Sequence, residues 1–185
     1  MQPWERVELT TIHKVGFRKL VDKSFVQPNG KIETFTTIGV EGSENIAIIG
    51  LTKALKVVVA RQFRVGPEAI FDELPGGGAE EGETLEEAAK REFEEETGYT
   101  TGKPLRYLGK ACRDAYTNAV NHYFLAVECY KVGDTNNDDT EFTEPVEITI
   151  DELISNAKNF KMSDSVGVLL ALNDLREMQV HEKTN

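Results

Sequence analysis

Residues 76–99 have the sequence GGGAEEGETLEEAAKREFEEETGY, the most unusual charge pattern in the chain. The stretch holds nine glutamates against one lysine and one arginine. Thr84 and Glu87 form a capping box, and Gly98 suits the C-terminal end of a helix. The pattern therefore predicts a short helix over residues 84–97, preceded by a glycine-rich loop.

The glutamates of this helix do not all belong to a solvated face. At about 100° per residue, the apolar side is formed by Leu85, Ala88, Ala89 and Phe93. Glu92 and Glu96 lie one turn apart at the edge of this apolar side, and Glu95 flanks it. Carboxylates at the edge of a core must be paired, protonated or metal-bound. The pattern thus indicates a site for Mg²⁺ or Mn²⁺, with a plain solvated helix as the alternative.

Length and composition indicate a soluble globular protein. The chain has 185 residues, of which 39% are apolar and 29% charged. We see neither an apolar run long enough for a membrane span nor a secretory signal. Cys112 and Cys129 lack metal-site spacing, so we expect reduced thiols and a cytoplasmic location. The net charge of −11 disfavours long nucleic acids but permits a small phosphorylated ligand bound through cations.

Strand-like and helix-like segments alternate along the rest of the chain. Residues 1–42 predict a small antiparallel unit of three strands, with a tight PNGK turn at residues 28–31. Residues 43–185 predict the main domain, in which apolar strands flank the acidic helix. Within it, residues 132–145 predict a polar loop and residues 150–178 one or two helices. This order favours an α+β or mixed α/β fold.

Eight positions of the acidic stretch fit the spacing G-x5-E-x7-R-E-U-x-E-E-x-G-U, where U is bulky and apolar. They are Gly77, Glu83, Arg91, Glu92, Phe93, Glu95, Glu96 and Gly98. The spacing resembles the Nudix box of the Nudix hydrolases. Tyr99 fills the last U position, where an aliphatic residue is commoner.

A looser similarity covers nearly the whole chain. RQFRVG at residues 61–66, ELPGG at residues 73–77 and EPVEITIDELI at residues 144–154 resemble the ADP-ribose pyrophosphatase branch of this family. The resemblance implies an α/β fold, an α/β/α sandwich around a mixed sheet. It also implies a homodimer in which the N-terminal strands cross to the partner.

The resemblance assigns metal-binding roles to the acidic stretch. Glu92 and Glu96 would be the principal ligands of Mg²⁺, for which Mn²⁺ could substitute. The main-chain carbonyl of Gly76 would be a further ligand. Glu95 would be a supporting ligand or a general base.

The resemblance also assigns roles to two arginines. Arg91 would orient Glu83 and the loop by ion pairing, with a simple pair to a helix glutamate as the alternative. Arg64 would contact the substrate phosphates, and Glu73 would be a further substrate-binding residue. An ion pair between Arg64 and Glu73 is the alternative.

Other candidates lie outside the acidic stretch. A mobile-loop carboxylate often serves as a base in this branch, and Glu144 matches it best, with Glu141 second. Trp4 and Phe35 would stack on a nucleotide base, or else belong to a core.

The implied reaction is hydrolysis of a nucleoside diphosphate linked to another moiety, giving a nucleoside monophosphate and a sugar phosphate. Residues 113–124 lack the Ser-Pro-Gly segment common in this branch, which leaves the substrate open. A nucleoside triphosphate pyrophosphohydrolase is one alternative, disfavoured by the long N-terminal unit. A non-catalytic nucleotide-sensing module is another, disfavoured by the intact glutamates of the box.

Overall fold

The computed structural model describes residues 1–136 and 142–182, except for the side chains of Glu8, Leu9 and Glu182. Glu141 lies outside the described residues. The chain forms two compact units. The first comprises Met1–Glu44 and Cys112–Asn121, and the second comprises Asn45–Ala111 and His122–Asn185.

The first unit is built on an antiparallel sheet. Its strands are β1 (Glu5–Val15), β2 (Arg18–Val26) and β3 (Ile32–Ile38), paired in that order. The predicted turn between β2 and β3 is present. Gly30 adopts a φ of 78° there, which favours glycine, and its N–H donates to the Gln27 carbonyl at 2.8 Å.

Residues 112–121 belong to this first unit, although the sequence analysis placed them in the main domain. The Ile38 N–H donates to the Tyr116 carbonyl and the Asn118 N–H donates to the Ile38 carbonyl, both at 2.8 Å. The Asn118 amide also donates to the carbonyl of Gly39 at 2.6 Å. These bonds hold the segment alongside β3, which the residue pattern of the segment does not reveal.

The second unit contains the acidic helix, which is α1. Its elements, of which β4, β8 and β9 each have one or two end residues in the first unit, are β4 (Glu44–Thr52), β5 (Lys56–Arg64), β6 (Ala69–Glu73), α1 (Leu85–Thr97), β7 (Tyr99–Thr100), β8 (Arg106–Cys112), β9 (Val120–Lys131), β10 (Thr143–Thr149), α2 (Ile150–Lys158) and α3 (Ser165–Glu182). The central strands follow the order β10-β5-β4-β9-β7, while β6 pairs with β5 and β8 pairs with β9. None of the helices in the described ranges has the length and apolar character needed to cross a membrane.

Alternate residues of β4 bury opposite faces of this sheet. Ile46 and Ile48 belong to a core that includes Phe93 of α1. Ile49 and Leu51 belong to a second core with residues of α2 and α3, among them Leu153, Ala171 and Leu175. Helices thus cover both faces, and the predicted α/β class with a sandwich around a mixed sheet is confirmed.

Glu144 does not lie in a loop, contrary to the sequence prediction. Strand β10 starts at Thr143, so the last three residues of the predicted loop are strand. Thr143 lies opposite Gln62 and Glu144 opposite Arg61 of β5. Pro145 is tolerated because β10 ends the strand order, where a missing N–H is least costly.

Candidate active site

The acidic helix begins and ends at the predicted caps. The Thr84 side chain accepts a hydrogen bond from the Glu87 N–H, and the Glu87 carboxylate accepts one from the Thr84 N–H at 2.9 Å. Gly98 has a φ of 71°, and its N–H donates to the Glu94 carbonyl at 2.8 Å. Phe93 is 1% exposed, in agreement with the predicted apolar side.

The glycine-rich loop runs along β4 and is pressed against α1. The Ile48 N–H donates to the Pro75 carbonyl at 2.9 Å, and the Ile46 N–H donates to the Gly77 carbonyl at 2.8 Å. A Cβ atom at Gly77 would lie 2.6 Å from the carboxyl carbon of Glu92, and one at Gly76 would collide with the β4 backbone. Both positions therefore require glycine for close approach.

Three glutamates of α1 surround this loop in different environments. Glu96 is only 7% exposed, and its carboxylate accepts a hydrogen bond from the Gly76 N–H at 2.9 Å. The Glu92 carboxylate lies against Gly77, whereas Glu95 is more exposed. The structure thus places Glu96 against Gly76 and Glu92 against Gly77, and the role of these groups as metal ligands stays a prediction.

Arg91 links the loop to the helix through an extensive ion-pair network. Its Nε and Nη2 atoms donate to the two carboxylate oxygens of Glu83 at 3.0 and 3.1 Å, and Nη2 also donates to the Gly78 carbonyl. Its Nη1 atom donates to Glu92 at 3.0 Å and Glu95 at 2.9 Å. The Arg91 guanidinium lowers the pKa of Glu83, and Glu83 in turn raises the pKa of Arg91. Both partners considered from the sequence, Glu83 and a helix glutamate, are therefore engaged.

The oxygen donors of the loop and α1 suit a divalent cation, although their side chains do not yet converge on one point. Within residues 1–136 and 142–182, no three His, Cys, Asp or Glu side chains already converge as metal ligands. Glu92 and Glu96 still provide oxygen donors one turn apart, beside a loop with no side chains to exclude an ion. A cation here would compete with Arg91 for Glu92, so we expect the carboxylates to turn when metal binds.

Strand β10 is attached to the C-terminal end of α1. The Thr143 hydroxyl donates to the main-chain carbonyl of Glu96 at 3.0 Å, and the Asn136 N–H donates to that of Glu95 at 2.8 Å. These bonds satisfy carbonyls that a helix end leaves unpaired. Glu144 is exposed, and it follows directly after Thr143, whose hydroxyl holds the start of β10 at the end of α1. The sequence does not reveal the role of Thr143, because no side-chain pattern signals a bond to a main-chain carbonyl.

Arg64 and Glu73 form the ion pair that the sequence leaves open as an alternative. Arg64 Nε donates to the Glu73 carboxylate at 3.0 Å. Glu73 is fully buried and also accepts hydrogen bonds from the N–H and hydroxyl of Ser163. Its carboxylate faces protein groups in this structure rather than an open surface. Ser163 was not anticipated, since a lone serine between two helices carries no sequence signal.

Trp4 and Phe35 lie together in the first unit. Their ring centroids are 6.0 Å apart at an interplanar angle of 45°, and Phe25 lies 6.3 Å from Phe35. Trp4 is 41% exposed, so one side of this aromatic group is open to solvent. The aromatic group is only partly buried, so stacking of a nucleotide base on it stays a prediction.

Comparison with known families identifies the family of the chain. A model of the NUDIX domain matches residues 43–167 of the chain. The chain belongs to the Nudix family. It is a Nudix hydrolase, and the resemblance seen in the acidic stretch is confirmed. Nudix hydrolases generally use divalent metals, in agreement with the oxygen donors of the loop and α1.

Relatives of this Nudix hydrolase include enzymes that act on ADP compounds. It is 30% identical to the ADP-ribose pyrophosphatase of Bacillus subtilis strain 168 over 139 residues, 75% of this chain and 74% of that protein. It is 29% identical to the methanol dehydrogenase activator of Bacillus methanolicus over 143 residues, 77% and 76% of the two chains. A crystal structure of an ADP compounds hydrolase matches with a TM-score of 0.77 over 96% and 97% of the chains. At 19% identity, this structure shows the shared fold alone.

Proposed function

We propose that this Nudix hydrolase cleaves the diphosphate of ADP-ribose or a related nucleotide sugar in a Mg²⁺-dependent reaction. The products are a nucleoside monophosphate and a sugar phosphate. The observation that carries the proposal is the contact between the Gly76 N–H and the buried Glu96 carboxylate, beside Glu92. The similarity to an ADP-ribose pyrophosphatase over three quarters of the chain supports the choice of substrate class.

The loop and α1 provide the ligands for the cations. Glu92, Glu96 and the carbonyl of Gly76 would hold Mg²⁺, with Glu95 in support. When bound, Mg²⁺ would neutralise charge on the diphosphate and favour the loss of a proton from the attacking water. Arg91 holds the glycine-rich loop against α1 through its bonds to Glu83 and the Gly78 carbonyl. The ligands therefore stay aligned while the substrate reacts.

The chemistry requires one proton acceptor. A water oxygen forms a bond to one phosphorus, the bridging P–O bond breaks, and the water proton passes to a carboxylate. Glu95 and Glu144 are the two candidates, since both are accessible. Glu95 lies on α1 and pairs with Arg91, and Glu144 follows Thr143, whose hydroxyl bonds to the Glu96 carbonyl. The pH dependence of turnover in Glu95→Gln and Glu144→Gln variants distinguishes them, because loss of the base removes the acidic limb.

Substrate selection would use one arginine and two aromatic side chains. Arg64, whose side chain is 39% exposed and paired with Glu73, binds a substrate phosphate through its guanidinium. Trp4 and Phe35 stack on the nucleotide base. The protein acts as a homodimer, in which residues 1–42 exchange strands between two copies of the chain. Light scattering of the purified protein measures this assembly, and a monomer that is fully active contradicts it.

The test is a panel of nucleotide diphosphate compounds with Mg²⁺, analysed for products by chromatography. We expect ADP-ribose or another nucleotide sugar to yield AMP or the corresponding nucleoside monophosphate, with no turnover when the metal is chelated. Preferential release of pyrophosphate from nucleoside triphosphates would instead support the triphosphate alternative. A protein that binds these compounds without cleaving any of them would be a sensing module.

A further inference from the structure

Glu73 is a fully buried carboxylate that the proposed chemistry does not use directly. It is 0% exposed, and burial of a charge is costly unless the charge is paired and hydrogen-bonded. Three donors meet this requirement. They are Arg64 Nε at 3.0 Å, the Ser163 N–H at 2.8 Å and the Ser163 hydroxyl at 3.0 Å.

The three donors divide between the two carboxylate oxygens. Arg64 bonds to Oε1, whereas both Ser163 groups bond to Oε2. Rotation of the carboxylate would break the bonds to Ser163, so Ser163 fixes the direction in which Oε1 points. Because the Nε–H bond lies in the guanidinium plane, its hydrogen bond to Oε1 then restricts the orientation of the Arg64 head group.

The remaining end of Arg64 is suited to a ligand. Within residues 1–136 and 142–182, Glu73 is the carboxylate that pairs with Arg64, and it engages Nε rather than Nη1 or Nη2. Those terminal nitrogens form the fork that binds phosphate in a bidentate manner. Ser163 belongs to the connection between α2 and α3, and this connection is itself attached to β6, since the Asp72 N–H donates to the Lys161 carbonyl at 3.0 Å.

We propose that Ser163 is a positioning residue for the substrate diphosphate, acting through Glu73 on Arg64. This inference rests on the proposed function, in which Arg64 contacts a substrate phosphate. Ser163 itself does not touch the substrate. Its two hydrogen bonds hold the buried carboxylate in one orientation, so that the Arg64 fork is presented in a single direction before the substrate arrives.

The first test compares three serine variants. Ser163→Ala removes the hydroxyl donor, Ser163→Thr keeps one, and Ser155→Ala is the matched control on the exposed surface of α2. We expect Ser163→Ala to raise the KM for ADP-ribose about three- to tenfold with kcat nearly unchanged, as for a lost ground-state contact. The Kd of a non-hydrolysable methylene analogue should rise equally. Ser163→Thr and Ser155→Ala should resemble the parent.

The second test is a double-mutant cycle with Arg64→Gln. If Ser163 acts through Arg64, Ser163→Ala has no further effect on KM or Kd once the guanidinium is absent. An equal rise in KM in both backgrounds overturns the proposal, and so does an unchanged KM in the single variant. Should Arg64→Gln not fold, Glu73→Gln offers a second background, because a neutral amide removes the ion pair.

The outcomes separate this inference from the proposed function. A parent protein that neither cleaves nor binds ADP-ribose or the other nucleotide sugars overturns both. A parent that cleaves them while Ser163→Ala matches it in KM, kcat and Kd overturns the role of Ser163 alone. Thermal unfolding of each variant is measured beside the kinetics, and a loss of stability without a change in KM also contradicts positioning.

Discussion

Glu73 and Glu96 are two buried carboxylates of the second unit with opposite surroundings. Glu73 is enclosed by an arginine and a serine, which compensate its charge within the protein. Glu96 is held by a glycine N–H next to a second glutamate, Glu92, at a loop without side chains. The first arrangement stabilises and orients neighbouring groups. The second concentrates negative charge, which a bound cation would stabilise.

The largest expected effect is on turnover after substitution of the helix carboxylates. Glu96→Gln and Glu92→Gln should lower kcat at least about a hundredfold, because each removes a charged metal ligand. The fold should persist, since the amide preserves the shape. Turnover and circular dichroism of each variant check this, with Glu94→Gln on the exposed side of α1 as control. Parent-like activity in both variants would falsify the metal assignment.

Glu73→Ala should affect stability more than Glu96→Gln does. Loss of one partner of a buried pair costs several kcal/mol, but Arg64 is partly exposed, so we expect about 1–3 kcal/mol. Chemical denaturation measures this difference in unfolding free energy. If Glu73→Ala unfolds like the parent while Glu96→Gln is strongly destabilised, the contrast between the two carboxylates is reversed.

Gly77→Ala should disturb the site itself. The added Cβ would lie 2.6 Å from the Glu92 carboxyl carbon, so Glu92 or the loop must move. We expect about 1–3 kcal/mol of destabilisation from overpacking, accompanied by a lower affinity for Mg²⁺. The Mg²⁺ concentration that gives half-maximal turnover reports the second effect. Gly102→Ala is the control, because a Cβ there meets nothing within 4 Å.

Thr143→Val should have a smaller effect. The variant keeps the shape of the side chain but leaves the Glu96 carbonyl without the hydroxyl donor. A lost hydrogen bond of this kind costs about 0.5–1.5 kcal/mol. Thr143→Ser retains the donor and should behave as the parent in thermal unfolding and in turnover. Equal losses in both variants would indicate packing rather than the hydrogen bond.

The smallest effect concerns pH. Because Arg91 lowers the pKa of Glu83, this pair stabilises the folded protein above the ordinary carboxyl value of 4.5, and the stabilisation disappears as the pH falls through the lower folded value. The difference in Tm between the parent and Glu83→Gln should therefore shrink on acidification below about 4.5. A difference that is constant from neutral to strongly acidic pH contradicts an ionic role for Glu83.

The sequence predicted the elements whose signals are local. The caps at Thr84 and Gly98, the apolar side of α1 and the PNGK turn are all encoded within a few residues, and all are present. The ion pair of Arg91 with Glu83 was accessible because the family spacing carries it. The separation of α2 from α3 was left open by the sequence and is now defined.

What the sequence could not provide depends on contacts between distant segments. Strand β10 takes Glu144 out of the predicted loop because β5 offers a free edge, which no local pattern shows. The docking of residues 112–121 on β3 uses main-chain groups. Ser163 reaches Glu73 across 90 residues of sequence. Hydrogen bonds of this kind depend on tertiary position rather than on residue type.

The most direct test of the metal assignment is an anomalous difference map from crystals soaked in Mn²⁺. The account predicts a peak at coordination distance, about 2.1 Å, from carboxylate oxygens of Glu92 and Glu96. Arg91 should then release Glu92 while keeping Glu83. A map without that peak, in which both carboxylates keep the contacts described above at saturating Mn²⁺, would contradict the account.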